Sequence, residues 1–176
     1  MQFVLVDIAD REKFYPFSLT QSVAQFRIGI YSFQERWEHL LNKETAIYTV
    51  PYLQKLYDNS DFLQNKEAAI FIIVTCIPTS DLVDAILNFK PGEKIISNSG
   101  KWIATHTDER SFEKILLANF APITYEQGEF VHDAICMLQL HSRFRLIITQ
   151  EVQIIDKVIF SQNIFLIIKK FVDKIH

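Results

Sequence analysis

Glycine is the scarcest informative residue in this chain of 176 residues. There are four, at positions 29, 92, 100 and 128. None precedes residue 29, so no glycine-rich phosphate loop follows the first apolar run, which excludes the ordinary dinucleotide fingerprint and the Walker loop. Cysteine is nearly absent too. Cys76 and Cys136 both stand in apolar contexts and read as reduced core residues of a cytosolic protein. No apolar run approaches the roughly 18 to 20 residues that span a membrane. The N-terminus lacks the basic, apolar and small-residue succession of a secretion signal. Positive charge is not in excess: a net charge of −3 argues against a general nucleic-acid binder. The 15 phenylalanines therefore read as core rather than as a stacking platform for bases. Catalytic spacings are missing as well. The five histidines (His39, His106, His132, His141 and His176) show neither zinc-protease spacing nor cysteine partners at metal-finger spacing. No nucleophile elbow is present.

What is present suits one well-buried α/β domain: 49% hydrophobic residues, with apolar strand-like runs alternating with amphipathic helices. Phe3 to Ile8 reads as a central strand, and Ala68 to Ile77 as a strand covered on both faces. Pro78 ends the latter, and Thr79 or Ser80 caps a helix burying Leu82, Val83, Ile86 and Leu87. Ser32 is an N-cap with Glu35 completing a capping box, ahead of an apolar face of Phe33, Trp37, Leu40 and Leu41. Ala46 to Val50 forms a short strand, and Pro51 starts a helix with Leu53, Leu56 and Tyr57 inside. Residues 59–67 read as a surface loop. A hairpin joins 93–97 to 101–105, Ser111 opens a short helix, and Ala121 to Tyr125 is a strand. Val131, Ala134, Ile135 and Leu138 follow at helical spacing.

The stretch between the first strand and Ser32 carries the chemistry. Polar residues directly after a first strand are where open α/β sheets build ligand sites. Asp7 lies at that strand end, either facing a ligand or capping the turn. Pro16 forbids a continuous helix and holds Tyr15 extended, so residues 9–21 form an irregular loop. Arg11 and Arg27 offer planar donor forks that match phosphate oxygens. The plainer reading pairs them with carboxylates such as Asp10 or Glu35.

Asp7, Arg11, Phe14-Tyr15-Pro16-Phe17-Ser18, Val23-Ala24, Arg27-Ile28-Gly29-Ile30 and Glu35-Arg36-Trp37-Glu38 together resemble a known family. They look like the N-terminal domain of a divergent bacterial type of bifunctional UDP-N-acetylglucosamine pyrophosphorylase/glucosamine-1-phosphate acetyltransferase. More broadly the chain is similar to sugar-1-phosphate nucleotidylyltransferases. Weaker matches follow in order at Tyr52-Leu53, at Ser99 to Ala104 and at Phe144 to Thr149. Asn163 to Leu166 resembles the first coil of the left-handed β-helix that normally follows.

The resemblance implies a three-layer α/β/α nucleotide-diphospho-sugar transferase domain with a mostly parallel central sheet over residues 1–150. Residues 151–176 would be a tail resembling the start of a truncated β-helix. It implies Arg11 and Asp7 as catalytic residues, and Arg11, Ser18, Gln21 and Arg27 as binding nucleotide or phosphate. Mg²⁺ would be the cofactor if the chain is active, with unknown metal ligands. A nucleotide or nucleotide-sugar would be the ligand, without nucleic acid or membrane partners.

Departures from the family pattern weaken the catalytic expectation. The second aspartate of the family is Ile8 here, and Thr-Arg-Pro is replaced by Thr20-Gln21-Ser22. The middle strand ends in Val74-Thr75-Cys76, which offers no carboxylate where the broader superfamily holds its metal. The expectation is thus a degenerate nucleotidylyltransferase-like protein, weakly active or inactive. The alternative is a non-catalytic nucleotide-sugar-binding or structural module of the same fold. The apolar tail, including Ile154, Ile155, Val158 and Phe165, has no β-helix to pack on; it either folds back on the chain's own domain or meets a second copy, and a homodimer built through it is the favoured expectation.

Overall fold

A computed structural model of the chain describes residues 1–57, 67–126, 128–134, 136 and 137. β1 spans Gln2–Val6. Three short 3-10 turns follow, at Arg11–Phe14, Phe17–Leu19 and Val23–Gln25. Next come a small hairpin of β2 (Arg27–Ile28) and β3 (Tyr31–Ser32), helix α1 (Phe33–Leu41) and β4 (Thr45–Tyr48). Helix α2 is the short Pro51–Gln54. β5 (Ala69–Ile73), β6 (Cys76–Ile77) and α3 (Ser80–Leu87) follow. The described part closes with β7 (Glu93–Ser97), β8 (Trp102–Thr107), α4 (Phe112–Leu117), β9 (Ala121–Tyr125) and β10 (Glu129–Phe130).

Six strands form the central sheet in the order β4-β1-β5-β8-β7-β9. The β4–β1, β1–β5 and β7–β9 pairings are parallel. β8 runs antiparallel to both its neighbours, so the sheet is mixed but mostly parallel. β1 and β5 are inner strands, as their apolar runs predict. A strand inside a sheet covered on both faces needs apolar residues at successive positions, not at alternate ones. Phe3, Leu5, Ile70 and Ile72 pack on one face, with Trp37 of α1 and with Leu82, Val83 and Ile86 of α3. Val4, Val6, Ala69 and Phe71 pack on the other, against Phe112 and Ile115 of α4. The result is a three-layer α/β/α domain.

Local chemistry sets the helix ends. The Ser32 hydroxyl accepts from the Glu35 N–H at 3.1 Å, and the Glu35 carboxylate accepts from the Ser32 N–H at 2.7 Å, so α1 opens with a complete capping box. It ends at Asn42 in left-handed conformation, φ 51°, a geometry that asparagine tolerates better than most residues. Ser32→Ala should cost about 1 kcal/mol, read by chemical denaturation. The Ser32 N–H bond holds the Glu35 carboxyl below its ordinary value. A depressed folded value means this contribution is full above the ordinary glutamate range and is lost as pH falls through the folded value. Thermal melts at descending pH should therefore show a steeper acid loss for the wild type than for Glu35→Gln.

Two expectations need correction, and others fall outside the described residues. The run 68–77 is not one strand: Val74 and Thr75 turn the chain, and β6 leaves the main sheet to pair antiparallel with β10. Leu40, Leu56 and Leu87, expected inside, are exposed because each lies off the sheet-facing side of its helix or turn. The proposed loop over 59–67 lies outside the described residues except Glu67. The tail and its dimer interface also lie outside them, as do the end of the 1–150 domain and the 151–176 segment.

Candidate functional site

The C-terminal edge of β1 gathers the residues singled out in the sequence. Asp7 follows β1 directly, and its N–H bonds the Tyr48 carbonyl at 2.8 Å, which continues the β1–β4 ladder by one residue. Its side chain is completely buried. One carboxylate oxygen, Oδ2, takes three bonds: from Arg11 Nη1 at 2.6 Å, from the Val23 N–H at 3.0 Å and from the Thr49 hydroxyl at 3.0 Å. Oδ1 is buried with no hydrogen-bond partner. The Ser22 hydroxyl favours the ionised form without completing a hydrogen bond to the carboxylate.

Arg11 is 4% exposed. Its guanidinium also donates to the Gln21 carbonyl at 3.3 Å and to the Tyr52 hydroxyl at 3.5 Å. Nε is buried without a partner. The arginine therefore ties the loop to the strand end from inside. Its partner is Asp7, not the surface carboxylates of the plainer reading. Burial pushes the Asp7 carboxyl above its ordinary value, against the opposing pull of Ser22, Arg11, Val23 and Thr49. A raised folded value means that this contribution to stability is full below the ordinary aspartate value and is lost as pH rises through the folded one.

The other expected binders are scattered. Ser18 is buried, and its hydroxyl donates to the Arg11 carbonyl at 2.9 Å, so it holds the turn together. The Gln21 side chain is exposed beside the cluster, which it joins through its carbonyl. Arg27 lies on the β2–β3 hairpin, donates to the Ile30 carbonyl at 2.9 Å and pairs with Glu35 at 3.6 Å, as the plainer reading has it.

Thr49, Tyr52, Tyr57 and Lys101 belong to the same edge and were not among the expected site residues. Tyr57 accepts from the Ser22 N–H at 2.7 Å, and Tyr52 donates to the Leu19 carbonyl at 3.2 Å. Lys101 immediately precedes β8, whose Ala104 pairs with Ile72 of β5. Because β8 is antiparallel to β5, its beginning sits over the strand ends. Lys101 pairs with Asp10 at 3.0 Å, and its ammonium stands 4.4 Å from the centre of the Phe130 ring. In the sequence, the hairpin reading at Asn98-Ser99-Gly100 and the family match at Ser99 to Ala104 hint at this.

Magnesium requires several hard oxygen ligands in near-octahedral geometry. The β5 end supplies Val74, Thr75 and Cys76, all buried. Burial drives the Cys76 thiol up to about 12, so it stays protonated. The two aspartates at this edge are already paired, Asp7 with Arg11 and Asp10 with Lys13 and Lys101. Among the described residues no group of three His, Cys, Asp or Glu side chains is placed to hold a metal. The residues present do not fit Mg²⁺.

In this three-layer α/β/α domain the polar cluster stands at the end of the first strand, the edge where open α/β sheets bind ligands. The chain belongs to the sugar nucleotidyl transferase family, whose sequence profile matches residues 3–167. No curated protein matches it. Among solved structures it is similar to a protein described as a glucose-1-phosphate thymidylyltransferase from Bacillus anthracis, in complex with sucrose. That similarity has 10% identity, 82% of this chain and 95% of that one covered, and a TM-score of 0.48. Among the described residues no helix is long and apolar enough to cross a membrane.

Proposed function

We propose that this chain is a degenerate sugar-1-phosphate nucleotidylyltransferase, weakly active or inactive, of the kind found in the pyrophosphorylase half of bifunctional UDP-N-acetylglucosamine enzymes. The reaction class is NTP plus sugar-1-phosphate giving NDP-sugar plus pyrophosphate. Family membership supports the class. One observation carries the loss of activity: Arg11, the cation expected to hold phosphate, is buried in an ion pair with Asp7, the carboxylate expected to help a metal. Each neutralises the other, and both are buried from solvent.

Nucleotidyl transfer needs positive charge fixed on the triphosphate and both reactants held in line. Removing one such electrostatic group typically costs ~10² to 10³ in rate. Here the β5 end contributes no carboxylate, and the loop contributes no free guanidinium from Arg11. A pyrophosphate-release assay on the purified chain with UTP and a sugar-1-phosphate should show turnover far below the ~10 s⁻¹ typical of enzymes. Turnover near that value refutes the proposal. Calorimetry with UTP, dTTP and UDP-N-acetylglucosamine, each with and without Mg²⁺, separates the two remaining roles. Affinity without turnover identifies a nucleotide-sugar-binding module, and no affinity identifies a structural one.

A further inference from the structure

The two edges of the central sheet are finished differently. β4 and β9 are its outer strands. The Asp7 N–H bonds the Tyr48 carbonyl, so Tyr48 faces β1 and residues 45, 47 and 49 face outward, because backbone groups alternate sides along a strand. Side chains close that edge. The Glu38 carboxylate accepts from the Thr45 N–H at 3.0 Å, and the Gln34 amide donates to the Thr45 carbonyl at 3.2 Å. The Gln54 amide donates to the Ile47 carbonyl at 2.9 Å and accepts from the Thr49 N–H at 2.8 Å. The β9 edge has no such closure. The Ala121 N–H bonds the Gly92 carbonyl at 3.2 Å on the β7 side, so Pro122 and Thr124 face outward. Proline has no N–H to offer, which suits an edge position. Among the described residues, the Pro122 carbonyl and the Thr124 N–H and carbonyl have no hydrogen-bond partner. Ile123 is 42% exposed, and at the end of α4, which leads into β9, Leu116 is 51% and Leu117 86% exposed. An unpaired strand edge beside exposed apolar side chains is a surface that proteins cover.

We propose that the β9 edge is the docking surface for residues 144–149 of the same chain, which add to the six-stranded sheet as a further strand beside β9. That segment lies outside the described residues. Its sequence, Phe-Arg-Leu-Ile-Ile-Thr, is rich in strand formers and sets Phe144, Leu146 and Ile148 at alternate positions. The family profile runs to residue 167, so the segment belongs to the same domain as the sheet. Its reach is sufficient. The Val131 N–H bonds the Thr75 carbonyl just beyond β5, and Met137 is buried in the core six residues later. A strand beyond β9 lies four strand spacings from β5, roughly 19 Å. The seven residues from Met137 to Phe144 span up to roughly 23 Å. Pairing of β9 with β9 of a second copy is the poorer solution, because each strand would bring a proline and lose a donor. Residues 144–149 contain no proline.

The test is amide hydrogen exchange on the full chain, read residue by residue by nuclear magnetic resonance. In the wild type the Thr124 N–H and the amides of residues 144–149 should exchange about tenfold or more slowly than in an unstructured chain, at every protein concentration. Thr124→Pro removes the outward N–H and leaves the bonds to β7 in place. It should release the amides of residues 144–149 while those of β5 and β8 stay protected. Leu146→Pro breaks the incoming strand and alters no described residue. It should release the Thr124 N–H, and it carries the test alone if Thr124→Pro does not fold. A Thr124 N–H that exchanges at the unstructured rate in the wild type overturns the proposal, as does one whose protection survives Leu146→Pro. Protection that appears only as concentration rises, with a dimer by light scattering, gives the edge to a second copy and overturns it as well.

Discussion

Asp7→Ala is expected to destabilise the fold by about 3–5 kcal/mol, and Arg11→Ala by a similar amount. Asp7 is fully buried and Arg11 nearly so, and they meet at 2.6 Å. Removing either leaves an uncompensated charge where water does not reach. Asp7→Ala also strips the Val23 N–H and the Thr49 hydroxyl of an acceptor, which frees the loop at Val23 and the segment after β4. The two losses should not add. With both charges gone no buried ion remains unpaired, so the double variant should be markedly more stable than the sum of the singles predicts. Urea denaturation of the two singles and the double closes this cycle. Additive losses would mean that the residues act separately and that Arg11 is not held by Asp7. The result also bears on function: a strong coupling makes the pair a structural tie rather than a ligand site.

Trp37→Ala should cost about 3–5 kcal/mol. Trp37 is fully buried on the α1 face that packs against the sheet, and its indole N–H donates to the Cys76 carbonyl at 3.2 Å. Truncation leaves a cavity between α1 and the sheet. It also leaves a carbonyl without its donor at the point where the chain turns from β5 into β6. Trp37→Phe keeps much of the apolar volume but loses the donor, so it should fall between wild type and Trp37→Ala. Equilibrium unfolding followed by far-ultraviolet circular dichroism measures both. A loss below about 1 kcal/mol for Trp37→Ala would show that α1 is not anchored to the sheet through this side chain.

Much of the architecture was legible because it rests on local rules. The runs at 3–8 and 68–77 are apolar at successive positions, so they had to be covered on two faces. The capping box at Ser32 and Glu35 and the cap at Thr79 are short-range hydrogen bonds that residue type and spacing specify. The hairpin around Gly100 was readable for the same reason. Its glycine takes φ 79°, a backbone shape few other residues accept. Less visible was the break at Val74 and Thr75. Both are strong strand formers, and nothing local distinguishes them from the residues on either side. They turn because β10 offers β6 a separate partner, with the Val131 N–H bonding the Thr75 carbonyl at 2.9 Å.

The candidate site divides along the same line. The sequence alone determined that Asp7 lies near the end of the first strand and that polar residues gather after it. It also determined that no glycine-rich loop and no carboxylate at 74–76 are available. Only the tertiary structure decided what the charges do. Arg11 is four residues from Asp7 and directly adjacent to Asp10 along the chain. Which carboxylate it meets depends on how the loop folds over the sheet edge, with Thr49, Tyr52 and Gln21 arriving from elsewhere. Lys101 is more than ninety residues from Asp10 in sequence, and the pair exists because β8 runs back antiparallel beside β5. Residue type states which charges a chain carries. Their pairing is a matter of distance in space, and strand order and direction set that distance.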